Sequence, residues 1–405
     1  MSKGGDQAAG GALAGLRVIE FGSLIAGPFA GQLLADQGAD VIKVEPPGHG
    51  DPLRQWGSGK VDGEGLWWAV IGRNKKSVTI DLRRAEGQAL ARRLVVGADI
   101  VIENFRPGTM ERWNLGYEHL SQDNVGLIMA RMSGFGQTGP YSRRAGFGSV
   151  GEAMGGIRYV TGDPEKPPAR CGVSIGDSLT AMFGTIGILS ALEARRRTGR
   201  GQVIDAALYE SVLAVMENLV PEYDRLGLVR ERSGSILPGV APSNAYTCAD
   251  GLSIVIGANA DGVFSRLATA MGQPELAMPD AFGTHAGRAA RQLELDRIIE
   301  DWTSSHSSEQ IIVLMEENGV PAGLIYRAPE MIADPHFIAR KAIVEVAHDR
   351  IGSVKMQNVF PRLLDTPGSI RWPGAALGQH NDIVFGTELG LSRAELEVLK
   401  RDGVI

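Results

Sequence analysis

The sequence has few of the side chains that form covalent cross-links or bind metal ions. Among its 405 residues are two cysteines, Cys171 and Cys248, and seven histidines, which include no HxH or HxxxH pair. Two cysteines that lie far apart provide neither a disulfide framework nor the spacing of metal ligands. The sequence therefore predicts no metal site.

An excess of positive charge is also missing, because acidic side chains outnumber basic ones and the formal net charge is −6. A nucleic-acid-binding protein needs a basic face, so nucleic acid is not expected as the main partner. No apolar run approaches the roughly 20 residues that span a bilayer. The N-terminal segment MSKGGDQAAGGALAG lacks the pattern of a signal peptide. We therefore expect a cytoplasmic protein whose partners are small molecules, with no membrane partner.

The chain is too long for one ordinary hydrophobic core, so two domains or one large interrupted domain are expected. Its 43% hydrophobic and 22% charged residues are typical of a soluble globular protein. The predicted strands are 17–21, 40–44, 77–82, 100–104 and 126–132, and the predicted helices between them include 28–37 and 85–96. This alternation predicts a Rossmann-like α/β domain, an open and mostly parallel sheet with ligands at the carboxyl ends of its strands.

The first turn of this predicted sheet lacks the glycine fingerprint of nicotinamide-binding folds. Residues 22–28 read GSLIAGP, where that fingerprint requires GxGxxG. A dinucleotide cofactor bound in that manner is therefore not expected.

A second, smaller α+β domain is predicted after a linker at 222–242, where periodicity fades and glycine, proline and charge increase. Asp250 and Gly251 separate two strand-like runs and predict a hairpin. Helical patterns follow at 261–271, 292–303 and 309–318. The chain then ends with extended runs and a last predicted helix at 393–401.

Asp177 is the acidic residue that we consider as a catalytic group. It opens a segment in which apolar residues recur at helical spacing. These residues are Leu179, Met182, Phe183, Ile186, Leu189 and Leu192. A helix is predicted to begin at Asp177 and to end near Gly199, and a second helix is predicted over 203–220. Asp177 fits either of two compatible roles, an N-cap or an ionised carboxylate that attacks an activated acyl group.

Several blocks of sequence occur in an order that is highly specific. They include VIEFGSLIAGPFAGQLLADQGADVIKVEPPGHGDPLR, NKKSVTIDL, IVIENFRPGTMERWNLGY, SGFGQTGP, GDSLTAMFGTIGILSALEARRRTGRGQVIDAALYES, IGANADGVF and LGQHNDIVFGTELGL. Along nearly its whole length the chain resembles the family III CoA-transferases, which include formyl-CoA:oxalate and carnitine CoA-transferases. The resemblance implies that Asp177 attacks an acyl-CoA to form an aspartyl anhydride and then an aspartyl-CoA thioester. It also implies that no cofactor is bound permanently and that coenzyme A and acyl-CoA are substrates.

The resemblance carries over further site residues one position at a time. The CoA-binding positions are Leu24, Ile25, Ala26, Ile80, Arg83, Asn104, Phe105 and Arg112. The positions of the mobile, glycine-rich loop that covers the site in this family are Gly257, Ala258, Asn259 and Ala260, with fewer glycines here. Pro46 stands where formyl-CoA enzymes have an arginine, so that phosphate contact is either lost or supplied by another residue.

Two other classes are alternatives to a transferase. The α-methylacyl-CoA racemases of the same fold carry a histidine in a GHD motif before the catalytic aspartate, whereas this chain has Gly146, Phe147 and Gly148 there. No titratable group is left for a second proton transfer, which favours the transferase. A non-catalytic acyl-CoA-binding protein would require Asp177 to be a cap alone.

The subgroup that moves CoA from succinyl-CoA to dicarboxylates of four to six carbons is the one that three blocks resemble most: GFGSVGEAMGG, RYVTGDPEKPPARCGVSIGDS and IGANADGVF. A substrate with a second carboxylate needs a cationic side chain to pair with that carboxylate. The candidates are Arg158, Arg170, Arg230 and Arg232, and Arg170 is the first choice because it precedes Asp177 by seven positions.

The resemblance also implies an interlocked homodimer. In this arrangement residues 1–222 form the N-terminal part of the large domain. Residues 223–330 form the linker and the small domain, and residues 331–405 return to the large domain.

Overall fold

The computed structural model describes residues 10–405, which fall into two compact units. The first unit contains the described chain up to Arg158, together with Cys171–Leu226 and Ala339–Ile405. The second unit contains Tyr159–Arg170 and Gly227–Ile338.

The strands are short and the helices vary from one turn to seven. The strands are β1 Arg17–Glu20, β2 Asp40–Glu45, β3 Lys60–Val61, β4 Glu64–Gly65, β5 Lys75–Thr79, β6 Ile100–Glu103, β7 Ile128–Ser133, β8 Val203–Ala207, β9 Ser243–Thr247, β10 Ser253–Gly257, β11 Ala322–Leu324, β12 Ile343–His348 and β13 Gly352–Gln357. The helices are α1 Ala26–Asp36, α2 Leu66–Ile71, α3 Ala85–Val96, α4 Thr109–Arg112, α5 Tyr117–Asp123, α6 Gly148–Met154, α7 Ile157–Val160, α8 Ile175–Thr198, α9 Leu208–Leu213, α10 Leu219–Leu226, α11 Asp261–Ala270, α12 His285–Ala290, α13 Gln292–Thr303, α14 Ser308–Glu317, α15 Ala328–Ala333, α16 Pro335–Ala339 and α17 Arg393–Arg401.

A six-stranded parallel sheet forms the centre of the first unit, in the order β5-β2-β1-β6-β7-β8. Helices cover both sides of the sheet, so apolar residues of its strands are buried on both faces. One face packs Ile19 and Val101 against α3 and α17, and the other packs Val18 and Ile102 against α1 and α8. The predicted open parallel sheet is confirmed.

Helix α8 begins two residues before the predicted start, which rules out the N-cap position as one of the two roles considered for Asp177. Ser174 is the N-cap residue, and Asp177 lies inside the first turn. The predicted end is confirmed, since Gly199 adopts φ +71° and donates its N–H to the carbonyl of Arg195. Two glycines let this helix approach the sheet closely. A Cβ at Gly184 would lie 2.3 Å from the Met132 side chain.

The prediction of a helix over 203–220 is also wrong for its first residues. Residues Val203–Ala207 form β8, the edge strand that pairs with β7, and two short helices follow. An edge strand has a partner on one side only, so three of its five residues are exposed or partly exposed at the start. Apolar and polar residues alternate only weakly in the sequence of such a strand.

Helix α8 is long and apolar enough, by length and composition, to cross a membrane, contrary to the expectation that the chain has no such run. Its inner face packs on the sheet through Ala181, Ile188 and Leu192. Its outer face carries Phe183, Ile186 and other apolar residues that are 37–58% exposed in the single chain. One apolar face is therefore buried and the other is uncovered.

The second unit contains the antiparallel sheet β11-β10-β9, and helices α11, α13 and α14 pack around it. The predicted hairpin at Asp250 and Gly251 is confirmed, with Gly251 at φ +79°. The three predicted helices agree with α11, α13 and α14 within a residue. Tyr159–Arg170 also belongs here, although the prediction placed it in the large domain. Contacts such as the bond from Gly234 N–H to the Gly162 carbonyl hold it in this unit.

Candidate active site

Four parallel strands of the first unit end beside one another and are followed by predicted site residues. Gly22–Ile25 follows β1, Pro46 follows β2, Ile80 follows β5, and Asn104 follows β6. In a parallel sheet these carboxyl ends share one edge. The crossover helix between two parallel strands runs back across the sheet, so the first turn of α8 lies at this edge as well.

A cavity of about 290 Å³ opens at this edge. Its apolar wall contains Ile80 and Phe105, and the Phe105 ring meets Trp113 edge-on at 5.2 Å between ring centres. His49 and Arg83 are exposed lining residues, and Arg83 forms an ion pair with Asp81 at 2.8 Å. The cavity therefore offers aromatic walls beside cationic or titratable groups. Trp113 and His49 were not among the predicted site residues, because neither stands in a pattern that distinguishes a lining residue.

The loop after β1 is held in an unusual conformation by side chains from two other segments. Leu24 has φ +64°, a left-handed conformation that is strained for a residue with a branched side chain. Asp51 accepts the Leu24 N–H at 3.0 Å, and Asn104 bonds both the N–H and the carbonyl of Ser23 at 2.7 and 2.8 Å. The amide of Asn104, a predicted ligand contact, therefore positions this loop. Ile25 and Ala26 are buried.

A buried charge network lies under the same loop. Lys43 forms ion pairs with Glu20 at 3.0 Å and with Asp51 at 2.8 Å, and Lys75 pairs with Glu20 at 2.7 Å. Burial opposes the charged form of Lys43, but the carboxylates of Asp51 and Glu20 outweigh it and raise its pKa. Asp51 is thus fixed as an anion that faces the Leu24 amide. The sequence signals for these pairings are weak, since the partners lie far apart in the chain.

A second pocket, of about 600 Å³, contains four arginines. These are Arg106, Arg112, Arg131 and Arg143. Arg131 is neutralised by Glu103 and Glu111, both at 2.7 Å. Within residues 10–405, Arg106 and Arg143 have no carboxylate partner at ion-pair distance, and Arg112 donates to the Thr109 hydroxyl at 3.0 Å. The pocket therefore carries net positive charge and suits an anionic group.

Asp177 is partly exposed, and the backbone of Gly148 passes directly beside its carboxylate. A Cβ at Gly148 would lie 2.1 Å from Asp177 Oδ2, so no other residue fits there without displacing the carboxylate. The preceding Gly146 packs on Gly134 with similar closeness, 2.5 Å from a Cβ to the facing Cα. Side-chain-free backbone thus forms one wall of the space around Asp177.

Glu152 is a buried residue beside the first turn of α8 that was not among the predicted site residues. It is 1% exposed, forms an ion pair with Arg158 at 3.2 Å, and lies against Gly176, the residue before Asp177. Arg158, one of the arginines considered for the acceptor, is therefore engaged by this buried carboxylate. A lone glutamate in a glycine-rich segment gave no pattern from which its burial could be predicted.

The remaining predicted residues belong to the second unit. The loop from Gly257 to Ala260 joins β10 to α11, and Arg170 precedes the return of the chain to the first unit. Arg232 donates to the carbonyl of Tyr159 at 3.1 Å. No group of three metal-binding side chains is found among residues 10–405.

Known proteins are similar to this chain in sequence and in fold. A model of CoA-transferase family III matches residues 13–381. The succinyl-CoA–D-citramalate CoA-transferase of Chloroflexus aurantiacus is 59% identical over 390 residues, which cover 96% of this chain and 97% of that protein. The succinyl-CoA–L-malate CoA-transferase beta subunit of the same organism is 41% identical over 396 residues, which cover 97% of this chain and 98% of that protein. The crystal structure of a CAIB/BAIF family protein from Brucella suis is 36% identical, with a TM-score of 0.83 over 93% of this chain and 99% of that one.

These similarities extend across both units, and they agree with the resemblance that the motifs around Asp177 carry. The predicted class of enzyme is confirmed, and the racemase and the non-catalytic binding protein are set aside. The chain belongs to CoA-transferase family III and is a CoA-transferase.

Proposed function

We propose that this enzyme moves CoA from succinyl-CoA to a dicarboxylate of four to six carbons, with Asp177 as the nucleophile. The observation that carries the proposal is the partly exposed carboxylate in the first turn of α8, faced by the side-chain-free backbone of Gly148. A carboxylate in the first turn of a helix is stabilised as an anion by the helix dipole. Succinyl-CoA is the donor in the names of both Chloroflexus relatives.

The proposed reaction is a covalent relay. An Asp177 oxygen attacks the thioester carbonyl, and the CoA thiolate leaves to give a mixed anhydride. The thiolate then attacks the Asp177 carbonyl carbon, which releases succinate and leaves an aspartyl-CoA thioester. The acceptor carboxylate repeats these steps in reverse, so acceptor-CoA leaves and the Asp177 carboxylate is restored. The relay conserves the thioester energy as long as water does not attack an intermediate.

The two pockets of the first unit support a placement for CoA. The smaller cavity, with Ile80, Phe105 and Trp113, suits the flat adenine ring. Its lining residues Arg83 and His49 are proposed to supply the phosphate contact that Pro46 does not. The arginine pocket that contains Arg112 suits further phosphate oxygens.

The acceptor assignment rests on the subgroup resemblance and on the names of the relatives, which act on D-citramalate and L-malate. Both acids carry two carboxylates, and we propose that Arg170 pairs with the carboxylate that does not react. We propose that the enzyme acts in the cytoplasm.

The uncovered face of α8 supports the proposed homodimer. Phe183, Ile186 and Leu189 expose 37–58% of their surface in one chain, and the following helices add Leu213 and Leu226. An apolar face of this extent is normally covered by a partner. A second copy of the chain, interlocked with the first as the family resemblance implies, is the proposed partner.

An acid screen tests the proposed function. Purified enzyme is mixed with succinyl-CoA and one free acid at a time, and the new CoA ester is measured by mass spectrometry. Malate, citramalate, mesaconate or glutarate should be converted, while the Asp177→Ala variant should convert none. If butyrate or oxalate is converted at least about tenfold faster than all four, a difference of about 1.4 kcal/mol, the dicarboxylate assignment is wrong.

A further inference from the structure

Four charged side chains are packed together beneath the loop that follows β1. They are Glu20, Lys43, Asp51 and Lys75, here called the charge quartet, and none of them is more than 1% exposed. Glu20 pairs with Lys43 at 3.0 Å and with Lys75 at 2.7 Å. Asp51 pairs with Lys43 at 2.8 Å. Two ammonium groups and two carboxylates balance one another, so burial leaves no charge in the quartet without an opposite partner.

Two members of the quartet hold the start of the loop. Lys43 donates to the carbonyl of Gly22, and Asp51 accepts the N–H of Leu24 at 3.0 Å. Leu24 has φ +64°, and a left-handed conformation in a branched residue persists only where its surroundings hold it. Because both side chains are charged, these bonds are stronger than bonds between neutral groups. The ion pair of Lys43 and Asp51 thus fixes the strained part of the loop.

The other two members hold the end of the loop, where α1 begins. Lys75 donates to the carbonyl of Pro28 at 2.5 Å, and Glu20 pairs with Lys75. Helix α1 packs on this pair through Gly31, where an added Cβ would lie 2.0 Å from Glu20 Oε2 and 3.4 Å from Lys75 Nζ. A side chain at this position would displace the pair. Residues 22–28 are therefore attached to the quartet at their start and at their end.

The quartet meets the proposed CoA cavity on one side only. Gly22 of the loop lines this cavity, together with Lys43 and Asp51 of the quartet. Glu20 and Lys75 are not among the described residues that line it. A change at either of these two can therefore affect a ligand in the cavity only through the residues that they hold.

We propose that the charge quartet shapes residues 22–28 for coenzyme A before the ligand arrives, and that Glu20 and Lys75 are positioning residues for CoA binding. The inference rests on the proposed function, because the placement of CoA at this cavity belongs to it. A loop that is already held in its binding conformation loses little conformational entropy when a ligand binds. Loosening the quartet should therefore weaken the binding of free CoA and of succinyl-CoA alike.

Two variants disturb the quartet on the side away from the cavity. Lys75→Met removes the ammonium group and with it the bond to Pro28. Gly31→Ala keeps all four charges but forces the Glu20 carboxylate to shift. Since Gly31→Ala removes no hydrogen-bonding group, it tests the proposal even if Lys75→Met does not fold.

Asp36→Asn is the matched control for these variants. Asp36 forms a buried ion pair with Arg73 at 2.6 Å in the same unit, and Arg73 also donates to the carbonyl of Gln357 at 2.6 Å. The bonds that the structure gives for this pair do not reach residues 22–28. Asp36→Asn should therefore lower the stability of the fold without changing CoA binding. The full-length enzyme is used throughout, and thermal unfolding identifies any variant that does not fold.

Hydrogen exchange of the amides at 22–27 is measured first, on the enzyme without ligand. In Lys75→Met and in Gly31→Ala these amides should exchange about fivefold faster or more, the effect of losing one such bond. Asp36→Asn should match the wild type. Two results would overturn the proposal: wild-type amides at Ser23 and Leu24 that exchange as fast as those of an exposed loop, or no faster exchange in either quartet variant.

The second measurement is the Kd of free CoA, determined by titration calorimetry. It should rise about tenfold in Lys75→Met, the effect of losing one charge-assisted bond, and it should rise in Gly31→Ala as well. The KM for succinyl-CoA should rise with it, while kcat changes much less, because a loss of uniform binding raises KM alone. Asp36→Asn should keep the wild-type Kd.

Faster exchange with an unchanged Kd would leave the quartet a structural role only and would overturn the proposal. If the wild type binds no CoA, the proposed placement of CoA fails, while the exchange result still decides whether the quartet holds the loop.

Discussion

Among single residues, Gly148 lies so close to the Asp177 carboxylate that it leaves no room for a side chain. The Gly148→Ala variant would place a methyl group 2.1 Å from the present position of Asp177 Oδ2, so the carboxylate must move. A displacement of about 1 Å at a reacting group lowers rates by roughly 100-fold. We expect that loss in kcat for transfer, with a small change in the KM for succinyl-CoA.

Gly172→Ala is the matched control for this prediction. Gly172 lies five residues before Asp177, and a Cβ there would meet nothing within 4 Å. Its transfer rate should equal that of the wild type. Equal activity in both variants would show that Asp177 does not work from the position described.

Arg170 is the residue proposed to bind the distal carboxylate of the acceptor. A charge-assisted bond to the distal carboxylate contributes about 1.5–3 kcal/mol, so Arg170→Ala should raise the KM for the dicarboxylate by at least tenfold. The KM for succinyl-CoA should rise as well if succinate's free carboxylate uses the same arginine, but binding of free CoA should not change. Arg196→Ala, on the exposed last turn of α8, serves as the control. An unchanged acceptor KM would remove Arg170 from the site.

At the scale of elements, the edge strand β5 is covered by residues from the other end of the chain. The N–H of Ser77 donates to Nδ1 of His380 at 3.1 Å, and the N–H of His380 donates to the Ser77 carbonyl at 2.9 Å. The side-chain oxygen of Asn381 accepts the N–H of Thr79 at 2.9 Å, and its side-chain nitrogen donates to the Thr79 hydroxyl at 2.8 Å. These bonds protect an edge that would otherwise pair with other chains.

This cover should be sensitive to pH. Burial lowers the pKa of His380 from 6.5, and the nearby Lys76 lowers it further. A histidine whose pKa is lower in the folded state stabilises the fold fully above pH 6.5, and that contribution is lost as the pH falls below 6.5. Denaturant unfolding at pH 7.5 and 5.5 should show a loss of about 1 kcal/mol that His380→Asn abolishes. An equal loss in the variant would assign the effect to other groups.

The elements also show what could be predicted from the sequence and what could not. The parallel sheet, the hairpin at Asp250 and Gly251, and the end of α8 at Gly199 were predicted because each has a local signal. Strand β8 was missed because an edge strand of five residues leaves little periodicity. The start of α8 was placed late because an aspartate near a helix start is usually its cap.

The site was predictable only where one residue carries the signal. Asp177 stands in such a motif, whereas the side chains that support the site are joined by long-range bonds. Asp51 reaches Leu24 across 27 positions, and Asn104 reaches Ser23 across 81. Nothing local in the sequence distinguishes these two polar residues from others in loops, so their positioning role required the structure.

At the scale of the whole molecule, the homodimer is the main prediction. Light scattering at micromolar concentration should give twice the mass of one chain, and the unfolding midpoint should rise with protein concentration. Ile186→Asp, on the uncovered face of α8, should lower this midpoint strongly, because it would bury an unpaired charge. Leu293→Asp changes an equally exposed leucine of the second unit and should have little effect. A monomeric wild-type protein would contradict the prediction.

The covalent relay on Asp177 can be tested by trapping its intermediates. The enzyme is incubated with succinyl-CoA and quenched with borohydride, which reduces an aspartyl thioester to an alcohol, or with hydroxylamine, which gives a hydroxamate. Peptide mass spectrometry should then find the modified side chain at Asp177, and the Asp177→Ala variant should show neither modification nor CoA transfer. An unmodified Asp177 in an enzyme that is transferring CoA, or undiminished transfer by Asp177→Ala, would rule out Asp177 as the nucleophile.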